Sequence, residues 1–262
     1  MEQKFDAVTL GELMLRLSPA GGRRLCEAGT LEKCAAGAEL NVAAGLAQLG
    51  LRAAVCSKLP DNALSRFVRA EARASGVSDE GIVTDTRPGA RMGVYYYESA
   101  SSPRRPAVVY DRANSSIHSL TPDEVPSSLL STRLFHVSGI TLGIGPGPRE
   151  TAVRLIERFK AAGAMVSFDV NYRANLWEDQ EERAVVEPLL PLFDVLFVSE
   201  ESLRRMFGRT GERMEMVRAF AREYSVRRLF STERHVLSPT RHTFASLGYD
   251  AGADAFFTEP PY

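Results

Sequence analysis

Lysine is scarce in this chain. Among 262 residues it occurs only as Lys4, Lys33, Lys58 and Lys160. None of these follows a GxxxxG stretch, which excludes a Walker-type phosphate loop. No GxGxxG follows the first strand-like run, so GELML cannot serve as a dinucleotide turn, and a GxSxG nucleophile elbow is also missing. Cysteine is sparse as well. Cys26, Cys34 and Cys56 are odd in number and form no CxxC pair, which argues for reduced thiols in the cytoplasm rather than a disulfide framework. The four histidines do not stand at metal-ligand spacing, so a structural zinc is not expected. A formal net charge of −1 gives no electrostatic footprint for nucleic acid or an anionic membrane. No apolar run is long enough to span a bilayer, and MEQKFDAVTLGE enters a strand-like alternation without a leader-type apolar region. These absences describe a soluble cytoplasmic protein.

What remains is a chain with 44% hydrophobic content, able to bury a sizeable core as one large domain. Strand-like runs rich in β-branched residues (FDAVTLGELMLRL, AAVCSKL, RLFHVSG, MVSFDVN, DVLFVSE, RRLFST) alternate with helical patterns. AELNVAAGLAQLG closes on Gly50. DNALSRFVRAEARASG has Asp61 as the expected N-cap and Gly76 beyond its end. PRETAVRLIERFKAAG, EERAVVEPLLPLF and GERMEMVRAFAREY continue the series. Alternation of this kind predicts an α/β fold, with a mainly parallel sheet covered by helices on both faces. Residues of about 14–36 and 90–116 break the rhythm with strand-like runs separated by Gly, Pro and Ser turns. They predict a small antiparallel β lid.

Four stretches carry polar groups suited to chemistry. In AAGAELNVAAGLAQLG, Glu39 and Asn41 open a helix directly after Gly37, an arrangement that suits a polyol; an alanine-rich buried helix accounts for it equally. In VVYDRANS, Tyr110 and Arg112 share a strand face, and Tyr95 of GVYYYES stands on the preceding strand. That is either a solvated edge with aromatic cross-strand pairs or a surface for a hydroxylated anion, with Arg112 set for bidentate carboxylate pairing. In VSFDVNYRANLW, Asp169, Asn171 and Arg173 emerge at the carboxyl end of a buried strand, where α/β enzymes bind ligands; an Asx-type loop with a surface arginine is the alternative. In VSEESL, Glu200 and Glu201 either position hydrated Mg²⁺ or favour the start of a helix.

Taken in order, GELMLRLSP, GAELNVAAGLAQLG, SKLPDN, GVYYYE, VVYDRANS, FHVSGITL, DVNYRANLW and LFVSEE resemble the ribokinase-like (PfkB) carbohydrate kinases, and within them the 2-keto-3-deoxygluconate kinases. The resemblance runs along essentially the whole chain and implies phosphoryl transfer from ATP, with Mg²⁺, to the 6-hydroxyl of 2-keto-3-deoxygluconate. It implies that Gly37, Asn41, Tyr95, Tyr110 and Arg112 hold the sugar acid. Asn171 and Arg173 would lie near the transferring phosphates, Arg173 stabilising them and touching the substrate. Ser199, Thr232 and Arg234 would flank the nucleotide. Pairing through the lid would make a homodimer.

Three departures accompany it. The family's double glycine before the first helix reads Ala36-Gly37. Its metal-organising NxxE reads Ser199-Glu200-Glu201-Ser202. Its base, the aspartate of a GAGD turn that opens a helix, has a near match in GADAF, Gly252 to Phe256. GADAF has one glycine too few, and consecutive prolines follow it. LGYDAGADAFFTEPPY reads as a hairpin, and the chain is expected to stop before the base and its helix. The readings left open are a sugar-acid kinase, a catalytically inactive sugar-acid-binding relative, and a kinase for another sugar such as fructose.

Overall fold

The computed structural model describes residues 3–100, 104–238 and 241–259. The chain folds as two compact units, residues 1–133 and 134–262.

The first unit contains β1 (Phe5–Leu10), β2 (Met14–Pro19), β3 (Leu31–Ala36), α1 (Ala38–Gln48), β4 (Ala53–Pro60), α2 (Ala63–Ala74), β5 (Val77–Ser78), β6 (Ile82–Asp85), β7 (Gly93–Glu98) and β8 (Ala107–Asp111). Strand β4 pairs in parallel with β1, β5 and β6. All eight of its residues are buried, so Ala53 to Cys56 form an apolar run in place of alternation, and the buried Lys58 pairs with Glu124 at 2.6 Å. Leu13, Leu15, Leu40, Val55, Val68 and Ile82 belong to the core packed around it. Helix α2 starts one residue later than its acidic signal predicts. Asn62, not Asp61, is the N-cap and accepts from the Ser65 amide at 3.0 Å. Asp61 instead lies 3.7 Å from Arg66 on the surface. Gly50 and Gly76 follow their helices with φ of 85° and 81°, as expected of residues beyond a helix C-terminus.

The two anomalous stretches build one separate four-stranded sheet, in the order β3-β2-β7-β8. Its outer ladders are antiparallel and its central β2–β7 ladder is parallel. Side-chain alternation divides its faces. Leu15, Leu17, Ala35 and Val94 pack on the core, and the opposite face carries Arg16, Cys34, Tyr95 and Tyr110.

The second unit contains β9 (Thr132–Ser138), α3 (Gly139–Gly143), α4 (Pro146–Ala161), β10 (Met165–Asp169), α5 (Asp179–Val186), β11 (Val195–Phe197), α6 (Glu200–Arg205), α7 (Arg213–Glu223), β12 (Arg228–Ser238), β13 (Arg241–Asp250) and β14 (Ala255–Glu259). Strands β9 to β12 pair in parallel, and β13 and β14 add antiparallel. Stacked ring pairs fill its interior: Phe135 on Phe159 at 4.1 Å and Phe168 on Phe193 at 4.5 Å. The expected helix over EERAVVEPLLPLF is interrupted. It is α-helical only to Val186 and then tightens into a 3₁₀ segment, Glu187–Leu192, because Pro188 and Pro191 remove two amide donors. RRLFST is the start of an eleven-residue strand.

GADAF lies in a hairpin turn. Asp250 pairs with Ala255, and its carboxylate accepts from the Gly252 and Ala253 amides at 2.9 and 3.2 Å. Asp254 adopts φ of 46°. The Pro260-Pro261 pair lies outside the described residues.

Candidate functional site

In the first unit, Tyr95 and Tyr110 are direct cross-strand partners, with ring centroids 5.6 Å apart. Arg112 follows the end of β8 and places its guanidinium 5.6 Å from the centre of the Tyr110 ring. Its side chain is only 13% exposed because it is bound by a residue the sequence reading passed over. The Glu12 carboxylate, 3% exposed, accepts from Arg112 Nε at 2.7 Å and also from Nη2. The other Glu12 oxygen accepts from Ser115 Oγ at 2.5 Å. The side-on fork of Arg112 is therefore taken, and its Nη1 edge is what remains for a further acceptor. The expected bidentate pairing with a ligand carboxylate is thereby left to the end-on fork of Nη1 and the second Nη2 hydrogen.

Glycines create the room for this group. A Cβ at Gly93 would lie 2.5 Å from Glu12 Oε1, and one at Gly37 would lie 2.8 Å from the Glu12 carbonyl oxygen. Gly37 caps α1 beside this group. Of the polar groups opening α1, Glu39 is buried and Asn41 is exposed. Burial pushes the Tyr95 phenol above its ordinary range, and the neighbouring Arg16 guanidinium pulls the other way. Nothing in GELMLRL marked Glu12 or Arg16, because their partners lie far along the chain.

In the second unit, a cleft of about 320 Å³ opens at the carboxyl ends of β10 and β11, beside Phe230 and Thr232 of β12. Asp169, Asn171, Arg173, Ser199 and Thr232 all line it, as the strand-end argument expects. Asn171 is a non-glycine residue with φ of 43°, and its amide donates to Asp169 Oδ1 at 3.0 Å. This Asx turn projects Arg173 outward. Arg173 donates weakly to the Tyr172 carbonyl at 3.5 Å and has no carboxylate partner among the described residues. Arg205, also in the cleft, is compensated by Glu201 at 2.8 Å and Asp179 at 3.2 Å. Phe197 and Phe230, stacked at 5.2 Å, form an apolar wall.

Ser199 caps α6, accepting from the Ser202 amide at 3.0 Å and donating to its hydroxyl at 2.9 Å. Ser199-x-x-Ser202 is thus a closed capping pair. Glu200 is paired with Arg204 at 2.7 Å. Thr232 and Arg234 line an adjoining depression with Arg204 and Arg205, and Arg234 donates to His242 at 3.3 Å. Beneath the loop that follows β10 lies Glu182, fully buried. Neither of its oxygens has a hydrogen bond of normal geometry. Burial pushes its carboxyl up to about 8; the Trp177 indole opposes this, and Asp179 and Asp169 add to it.

The Asp254 carboxylate accepts from the Tyr249 hydroxyl at 2.8 Å and pairs with Arg218 at 3.1 Å and Arg222 at 3.0 Å.

A parallel α/β framework with a cation-bearing cleft at its strand ends, together with a separate sheet presenting tyrosine and arginine, defines a ribokinase-like protein. The chain belongs to the pfkB family carbohydrate kinases, whose sequence profile matches residues 4–232. It is 36% identical over 238 residues to the 2-dehydro-3-deoxygalactonokinase of Haloferax volcanii, covering 90% of this chain and 74% of that protein. The crystal structure of 2-dehydro-3-deoxygluconokinase from Thermotoga maritima superposes with a TM-score of 0.91 at 31% identity, covering all of this chain and 81% of the other. A sugar kinase of Pyrococcus horikoshii solved in complex with ATP shares the fold, with a TM-score of 0.69 at 21% identity and coverage of 91% and 73%. The chain spans 57–76% of the length of the first curated relatives it matches. No helix among the described residues is long and apolar enough to cross a membrane.

Proposed function

We propose that the protein is an ATP-dependent kinase of a 2-keto-3-deoxy sugar acid, 2-keto-3-deoxygluconate, acting at the 6-hydroxyl. The observation that carries the reading is the Tyr95–Tyr110–Arg112 group, held in place by buried Glu12 on an otherwise solvent-facing sheet surface. Phenols and an arginine edge suit the hydroxyls and carboxylate of such an acid. Gly37 and Asn41 would complete this site. The names of the relatives support the substrate class.

ATP would occupy the cleft of the second unit. Phe197 and Phe230 offer the apolar wall, Asn171 and Arg173 would face the phosphates, and Ser199, Thr232 and Arg234 would flank the nucleotide. Among the described residues no three acidic, histidine or cysteine side chains form a metal cage. Mg²⁺ characteristically takes one or two carboxylates plus nucleotide phosphates, and Asp169 and Glu201 fit that limited role for an ion arriving with ATP. Bound there, the ion would neutralise phosphate charge; Arg173 would add to this from the protein side.

A second reading, a sugar-acid-binding protein without turnover, is favoured by the commitment of Asp254 to two arginines and a phenol. An ADP-release assay with 2-keto-3-deoxygluconate, with the product's phosphate located by NMR, tests both readings. Release driven by the acid, with phosphate on the 6-oxygen, is the expected result. Acid binding without release moves the conclusion to the second reading, and faster release with fructose overturns the first. In the same preparation Arg173→Ala should weaken ATP about tenfold or more, the effect of losing a hydrogen bond to a charged group, and weaken acid binding less. Unchanged ATP affinity would make Arg173 a surface residue.

A further inference from the structure

Four residues form one row across the four-stranded sheet: Cys34 pairs with Arg16, Arg16 with Tyr95, and Tyr95 with Tyr110. Because side chains alternate, this row projects from the face opposite the one that packs on the core. Arg112 lies at the end of the same face. A Cβ at Gly93, which precedes Tyr95 by two residues, would come within 3.3 Å of the Arg112 Cβ. Two arginines therefore share one surface with two phenols, and their charges are treated differently.

Arg112 is compensated. Its side-on fork is bound by the Glu12 carboxylate, and the pair as a unit carries no net charge. Arg16 is exposed, and among the described residues no carboxylate approaches it within ion-pair distance. The next acidic position on this face is Glu32, one step farther along the β2–β3 ladder, opposite Ser18. Glu98 and Asp111 stand on the alternate face, where Arg104 lies 3.8 Å from Glu98 and Arg91 lies 2.7 Å from Asp111. The uncompensated positive charge of the surface thus belongs to Arg16.

We infer that Arg16 is the specificity-determining residue that selects an anionic sugar, by pairing with its carboxylate. Arg112, neutralised by Glu12, acts as a rigid hydrogen-bond donor through its Nη1 edge. Arg16 is exposed beside the Tyr95 phenol, whereas Arg112 is fixed by Glu12 and lies against the Tyr110 ring; the first suits capture of a charged group and the second its orientation. The inference rests on the proposed reading that this face takes the sugar acid.

The test is calorimetric titration of the wild type, Arg16→Ala and Arg16→Lys with 2-keto-3-deoxygluconate and with its methyl ester, at low and high salt. Arg16→Ala should weaken the acid by about 10- to 150-fold, the range for bonds to charged groups. It should leave the ester within about twofold and flatten the salt dependence of acid binding. Arg16→Lys, which keeps the charge, should retain most of the acid affinity. Acid affinity unchanged in Arg16→Ala overturns the inference alone and assigns the carboxylate to Arg112. Equal weakening of acid and ester overturns it too, by showing a packing role. A wild type that binds neither compound removes the sugar-acid reading of the face, and the inference with it.

Discussion

Removing the Arg112 guanidinium would leave the Glu12 carboxylate buried, with the Ser115 hydroxyl as its remaining side-chain donor among the described residues. Breaking a buried pair from one side costs about 3–5 kcal/mol, far more than a contact on the surface. Arg112→Ala should therefore lower the unfolding free energy by about that amount, measured by urea denaturation, before any effect on ligand is considered. The double variant Glu12→Gln/Arg112→Gln should recover more than half of the loss; a single-variant cost under about 1 kcal/mol would show that the pair is not buried in solution. Glu182 makes the opposite kind of residue. Its folded-state value of about 8 lies above its ordinary 4.5, so the folded chain holds this proton more tightly than the unfolded chain. Its contribution is fully present below the ordinary value and is lost as pH climbs toward 8, at up to about 1.4 kcal/mol per unit. Glu182→Gln should remove that part of the slope between pH 5 and 8 and raise stability at the alkaline end. An identical slope in wild type and variant would assign the dependence to other groups.

At the scale of elements, the start of α2 provides a sharp comparison. Asn62→Ala should cost about 1 kcal/mol by loss of the cap, while Asp61→Ala should change stability by less than about 0.5 kcal/mol. Thermal melts of the two variants decide it, and the reverse order would restore Asp61 as the cap. The sequence favoured Asp61 because acidic and amide side chains cap alike. The choice was made by the turn that aims Asn62 at the Ser65 amide. Strand–helix alternation, the two anomalous stretches and the hairpin around GADAF were all readable, because period, glycine placement and proline act locally. The site was readable only in part. Tyr95, Tyr110 and Arg112 announced themselves through strand alternation. Glu12, one hundred residues from Arg112, is brought to it by tertiary pairing that no local pattern encodes. Arg16 escaped notice for the same reason, since its row exists only once β2 lies beside β7. Ser199 was visible as a motif position but not as a capping group, because its hydroxyl pair with Ser202 depends on the turn into α6.

At the scale of the whole molecule, the two units are suited to different tasks. The first presents a tyrosine–arginine surface suited to an acidic sugar, and the second a cleft with one uncompensated arginine suited to phosphates. Membership in the carbohydrate kinases fits such a division of labour, because phosphoryl transfer rests mainly on positioning and charge stabilisation. The claim most open to direct test is that the first unit selects an acid over a neutral sugar. Calorimetric titration of the protein with 2-keto-3-deoxygluconate and with fructose, under identical salt and pH, measures that selection without depending on turnover. The account predicts that the acid binds at least about tenfold more tightly, a difference of about 1.4 kcal/mol. Fructose binding as tightly as the acid, or more tightly, would contradict it.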